Sequence, residues 1–75
     1  MSKIRITTSK ETAVDIEKFF QSISAHGRSI ILTDIFHSEG YSDVIIGPAK
    51  EGEMIKPEDL FWMGYYSHMF TKQNQ

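Results

Sequence analysis

The stretch Ser29 to Pro48, SIILTDIFHSEGYSDVIIGP, decides the fold. Its first half, Ser29 to Phe36, is rich in β-branched residues and apolar on both alternating sets. Ile30, Leu32 and Phe36 form one set, and Ile31 and Ile35 the other. That pattern predicts a strand covered on both faces, at the centre of a sheet. Ser38-Glu39-Gly40-Tyr41 supplies a turn, and Asp43-Val44-Ile45-Ile46 returns as the partner of a hairpin. Gly47-Pro48 closes the second strand, because proline has no amide hydrogen to give to a ladder.

Upstream, Ile4-Arg5-Ile6-Thr7 alternates apolar and polar residues and predicts a short strand with one buried face. Thr8, with Glu11 three positions later, fits a capping box for a helix running from Ser9 to about His26. Ala13, Ile16, Phe20 and Ile23 recur at helical spacing with Phe19 on the flank and Asp15, Lys18 and Ser22 outward. Gly27 suits the left-handed position that ends a helix. Downstream, a loop through Glu51-Gly52-Glu53 leads to Pro57, which fits a helical first turn, where its missing amide hydrogen leaves no bond unmade. Thr71 to Gln75 is a polar tail expected to fray.

The order strand, helix, strand, strand, helix predicts one α+β domain over residues 1–75, with a three-stranded mixed sheet and two helices packed on one face. The first two strands should run parallel through a right-handed crossover. They are either adjacent or split by the third, and periodicity does not choose between these.

Seventy-five residues bury a small share of their surface, so extra stabilisation is expected. The chain has no cysteine, which excludes disulfides, four-cysteine zinc sites and thiol catalysis and leaves oligomerisation as the simplest route. The formal net charge of −2 argues against a protein built chiefly to neutralise phosphates. Glu51, Glu53, Glu58 and Asp59 gather around the start of the last helix, where carboxylates suit the positive end of the helix dipole. No apolar segment resembles a signal peptide or a membrane span, so a cytoplasmic protein is the default expectation.

The last helix is the unusual element. Residues 60–70 hold five of the nine aromatic side chains and two of the four methionines, spread around most of the helix rather than along one stripe. If Leu60, Met63 and Phe70 pack on the sheet, then Trp62, Tyr65, Tyr66 and Met69 lie partly elsewhere. The strand Ser29 to Phe36 poses the same excess, since either register leaves large apolar groups outside. The preferred register turns Ile31, Thr33 and Ile35 to the helices and sends Asp34 outward with Ile30, Leu32 and Phe36. These side chains are of the types enriched at protein interfaces. Gly64 points the same way, because a mid-helix glycine is unfavourable unless another backbone, of the sheet or of another chain, approaches closely.

Motifs for chemistry are weak. His37, Glu39 and Asp43 gather near the hairpin turn without metal-ligand spacing, and Asp34 has no second acid or base spaced to work with it. Ser22, Ser24 and Ser29 near His26 lack a nucleophile-elbow context, and Gly47 to Gly52 lacks a phosphate-loop pattern. No cofactor or metal is implied. The reading is a non-enzymatic interaction module that self-associates as a homodimer or binds another protein, through Trp62, Tyr65, Tyr66 and Met69 with Phe36 and Asp34 next. Proteins of this size often regulate or inhibit larger ones, an expectation from size alone. The alternative is a nucleic-acid-binding domain using Lys3, Arg5 and Arg28.

Overall fold

The computed structural model describes the backbone of residues 3–73 and the side chains through residue 69. Its elements are β1 (Ile4–Thr8), α1 (Lys10–Gln21), a single 3₁₀ turn (Ile23–Ala25), β2 (Ile30–Ser38), β3 (Tyr41–Pro48) and α2 (Pro57–Gln73). The expected order of elements is therefore present. The packing of Phe70 and the arrangement of Asn74 and Gln75 lie outside the described residues.

The sheet has the order β1-β3-β2, and both neighbouring pairs are antiparallel. This corrects the mixed sheet expected from the sequence. β1 and β2 do point the same way, but β3 returns between them, so among the described residues no parallel pair is hydrogen-bonded. It also moves the centre: β3, not β2, is the inner strand, and Val44 and Ile46 are fully buried in it. Gly40, at φ +87°, makes the two-residue turn that reverses the chain between Ser38 and Tyr41.

A β-bulge explains why β2 looked apolar on both sets. Leu32 pairs with Ile46 and Asp34 with Ile45, so Thr33 is an extra residue and the alternation changes phase there. Ile30 and Leu32 point inward before the bulge and Ile35 after it, all three packing in or against the core, while Ile31 and Phe36 remain outside. The expected register, with Ile31, Thr33 and Ile35 inward and Ile30, Leu32, Asp34 and Phe36 outward, is thus right past the bulge, for Asp34, Ile35 and Phe36, and reversed before it, for Ile30, Ile31 and Leu32. Thr33 instead lies over Gly47, where its Oγ1 would come within 2.9 Å of any Cβ.

Ser9, not Thr8, caps α1, accepting a hydrogen bond from the Thr12 amide at 3.2 Å. The helix ends at Gln21 rather than near His26, and the 3₁₀ turn swings Ile23 into solvent instead of the core. Gly27 does take the left-handed conformation, at φ +78°.

α1 packs on β2 and β3, and α2 packs chiefly along α1. Phe19 and Tyr66 stack across that helix pair with ring centroids 6.1 Å apart. This contact also explains two misplaced residues. Phe19 is fully buried and Phe20 only partly so, and Asp15, one turn before Phe19 on the same flank, is buried rather than outward. The core is Ala13, Ile16, Phe19, Ile30, Val44, Ile46 and Met63.

Candidate functional site

The start of α2 is fixed by a buried polar joint. Asp59, in the first helical turn, accepts from the Ser29 amide at 2.9 Å and the Ser29 hydroxyl at 2.6 Å through one carboxylate oxygen. Its other oxygen accepts from the Arg28 guanidinium at 3.1 Å. Ser29 in turn accepts from the Lys56 amide through its hydroxyl, and from the Ala49 amide through its carbonyl. The joint therefore ties the entry of α2 to the start of β2 and the exit of β3. The Ser29 hydroxyl, then the Ser29 amide and Arg28, hold the Asp59 carboxyl below the usual carboxylate range against the opposing effect of burial. Arg28 also donates to the Ser24 carbonyl and lies 5.8 Å from the Tyr66 ring centre.

From this anchor α2 turns about 100° per residue. Asp59, Met63 and Ser67 are buried along its inner side, with Leu60 and Tyr66 partly buried beside them. The outward side carries Phe61 at 65% exposure, Tyr65 at 50%, and Trp62 and Met69 at 39% each. Phe61 and Trp62 meet edge to face at 5.2 Å, and Trp62 and Tyr65 do so at 5.7 Å. Tyr66 lies 5.9 Å from Trp62 and continues inward to Phe19. The rings thus form one array that begins in the core and ends in solvent.

Of the residues expected to form a binding surface, Trp62, Tyr65 and Met69 share this outward side. Tyr66 turns inward, packing against the core. Phe36 and Asp34 lie elsewhere, on the face of the sheet turned away from α1. Asp34 accepts from the Ile35 amide at 2.8 Å and so steadies the strand just past the bulge. Gly64 has nothing within 4 Å of where a Cβ would sit, so among the described residues no neighbouring backbone approaches it. Phe61, the most exposed ring among the described residues, escaped the sequence reading, although its spacing from Tyr65 places both on one side. The Ser29–Asp59 joint escaped it as well; Asp59 carried only a helix-dipole signal, and Ser29 carried none.

The outer sheet face is differently built. Arg5 and Asp43 form an ion pair at 2.6 Å, and the Thr7 hydroxyl donates to the same carboxylate at 2.5 Å. The Arg5 hydrogen bond, followed by that of Thr7, lowers the Asp43 carboxyl below its ordinary range. Ile31 and Phe36 are half exposed on this face.

Chemistry finds little to work with. His37 Nδ1 lies 2.6 Å from Ser42 Oγ, but Ser42 is fully buried, so the pair is a cross-strand tie rather than an accessible nucleophile. Among the described residues no three His, Asp or Glu side chains converge to hold a metal ion. Of the cations proposed for nucleic acid, Arg5 and Arg28 each already face a carboxylate. A cleft of about 630 Å³ beside the joint is bordered by Arg28, Lys50 and Lys56 together with Glu53. Among the described residues, no helix is long and apolar enough to cross a membrane. The chain matches no protein-family model, no curated protein and no solved structure, so its function is read from this surface.

Proposed function

We propose that this chain is a small non-enzymatic interaction module that presents the outward side of α2 to a protein surface, its own or another's. One observation carries the reading: Phe61, Trp62, Tyr65 and Met69 form a continuous exposed apolar strip on one helix. The largest contiguous apolar patch on a soluble protein is often its interaction site. Aromatic rings also bring large contact area with few rotatable bonds to freeze. The Ser29–Asp59 joint supports the same reading, because it holds the helix rigidly at its start and leaves the strip free.

The test is a chain carrying Phe61→Lys and Tyr65→Lys together. The reading expects circular dichroism and the melting temperature to stay close to those of the parent, while capture of binding proteins on immobilised chain is lost. Unfolding of the double variant would return these rings to the core. Unchanged capture would remove the strip from function.

A further inference from the structure

We propose that the cleft beside the Ser29–Asp59 joint binds a small sugar phosphate, with Arg28, Lys50 and Lys56 taking the phosphoryl group. The site is separate from the α2 strip and does not rest on the interaction reading.

Ser29 builds it. The Ser29 carbonyl accepts from the Ala49 amide at 2.9 Å, and its hydroxyl accepts from the Lys56 amide at 2.8 Å while donating to Asp59. Both ends of the segment 49–56 are thereby pinned to one residue. Between them the chain turns from Lys50 to Glu53, closed by the Glu53 amide on the Lys50 carbonyl, with Gly52 at φ +85°. Arg28 precedes Ser29 in sequence, Lys50 follows Ala49, and Lys56 carries the second pinned amide. Cations from three points of the chain therefore border one cavity of about 630 Å³.

The charge of that border departs from the rest of the molecule. The chain has ten acidic residues against eight basic ones, whereas the cavity is bordered by three basic residues and by Glu53 as the acidic one. Asp59 offsets Arg28 from behind, and the two lysines remain exposed. Arg28 is the fixed member. Nε donates to the Ser24 carbonyl at 2.6 Å, Nη1 donates to Asp59 at 3.1 Å, and the group lies over the Tyr66 ring. Those two bonds orient the guanidinium and leave its other N–H groups to donate elsewhere, on a side chain still 21% exposed. A cation held in place in this way loses little freedom when a ligand arrives.

Size and lining choose the ligand. The volume lies within the range of roughly 300–1,000 Å³ typical of small-molecule sites. A phosphoryl group presents three peripheral oxygens, enough for a guanidinium and two ammonium groups, where a carboxylate presents two. Glu53 supplies an acceptor for a ligand hydroxyl, and Ala49 with the exposed, flexible Met54 supplies an apolar side for its carbon skeleton.

Amide NMR shifts of the full chain, titrated at constant ionic strength with ribose 5-phosphate, inorganic phosphate and ribose, test the site. The expected result is saturable shifts at residues 27–29 and 49–56, with a dissociation constant of about 1 mM or tighter for ribose 5-phosphate. Inorganic phosphate should bind the same residues at least about threefold more weakly, and ribose should move none of them. Lys50→Glu and Lys56→Glu should each weaken ribose 5-phosphate roughly three- to tenfold with circular dichroism unchanged. Lys10→Glu, at the opposite end of α1, makes the same change in net charge and should leave affinity within about twofold. Shifts still linear at about 20 mM, or equal losses in Lys10→Glu, would overturn the site. Equal affinity for inorganic phosphate would overturn the roles given to Glu53 and Met54. A single-stranded oligonucleotide that binds more tightly than ribose 5-phosphate would overturn the small-molecule assignment.

Discussion

The outer face of the sheet and the outward side of α2 both begin with more apolar residues than a three-stranded sheet and two helices need, and they resolve the excess differently. On the sheet, the bulge at Thr33 turns Ile30, Leu32 and Ile35 into the core, leaves Ile31 and Phe36 half exposed, and lays Thr33 over Gly47. The Arg5–Asp43–Thr7 cluster adds a polar patch to that face beside Tyr41 and Ile45. α2 has no corresponding device. Its hydrogen-bond ladder fixes the phase, so every added ring outside the inner side stays outside. A strand can shift its alternation by one residue, whereas a regular helix cannot, and the leftover apolar surface therefore collects on the helix.

The comparison is broken most forcefully at the joint that holds α2 in place. Asp59→Ala should lower unfolding free energy by about 2–4 kcal/mol in urea titrations, because it strands the Ser29 amide, its hydroxyl and Arg28 around a buried gap. A loss well under about 1 kcal/mol would show that the helix is held by its rings alone.

The same joint predicts a response to acid. The folded Asp59 has a carboxyl pKa below that of the unfolded chain, so its contribution is fully present above the unfolded value of about 4. It is lost as the pH falls through the lower folded value. Asp43 adds in the same direction, lowered first by Arg5 and then by Thr7. Urea midpoints should fall between pH 5 and about pH 3, and Asp59→Asn should flatten that decline.

On the sheet, Gly47→Ala should cost about 1–2 kcal/mol, since its Cβ would sit 2.9 Å from Thr33 Oγ1. The equivalent change on α2 should have the opposite sign. Gly64→Ala meets nothing within 4 Å and should raise stability by about 0.5–1 kcal/mol, measured by thermal melting at a concentration where the chain is monomeric. Equal signs would mean that the two surfaces do not differ in the way described. The smallest effect belongs to Phe36→Thr, which should change stability by no more than about 0.5 kcal/mol and leave the concentration dependence of sedimentation as it was.

Much of the architecture was legible from residue pattern. The five main elements and the hairpin follow from periodicity and turn chemistry, and the aromatic excess of the last helix was visible in its composition. Strand order was not legible, because pairing partners leave no mark on alternation within a single strand. The bulge disguised β2 as a central strand by placing apolar groups in both phases. Asp15 and Phe19 were misplaced because a single helix read alone does not reveal which flank a second helix will cover. In the candidate site, Trp62, Tyr65 and Met69 were legible as excess. Tyr66 was not separable from them, since its inward turn depends on Phe19, and Phe36 and Asp34 face outward as expected but on the sheet face turned away from α1, apart from the helix strip.

Trp62 is the sole tryptophan and stands within the strip, so its fluorescence reports on the surface directly. Acrylamide quenching should be measured on the folded chain across a wide concentration range. The account predicts ready quenching at low concentration, with protection and a blue shift as the chain associates. Trp62 equally shielded at every concentration and in the presence of any binding protein, with rings 61 and 65 indispensable for folding, would contradict it.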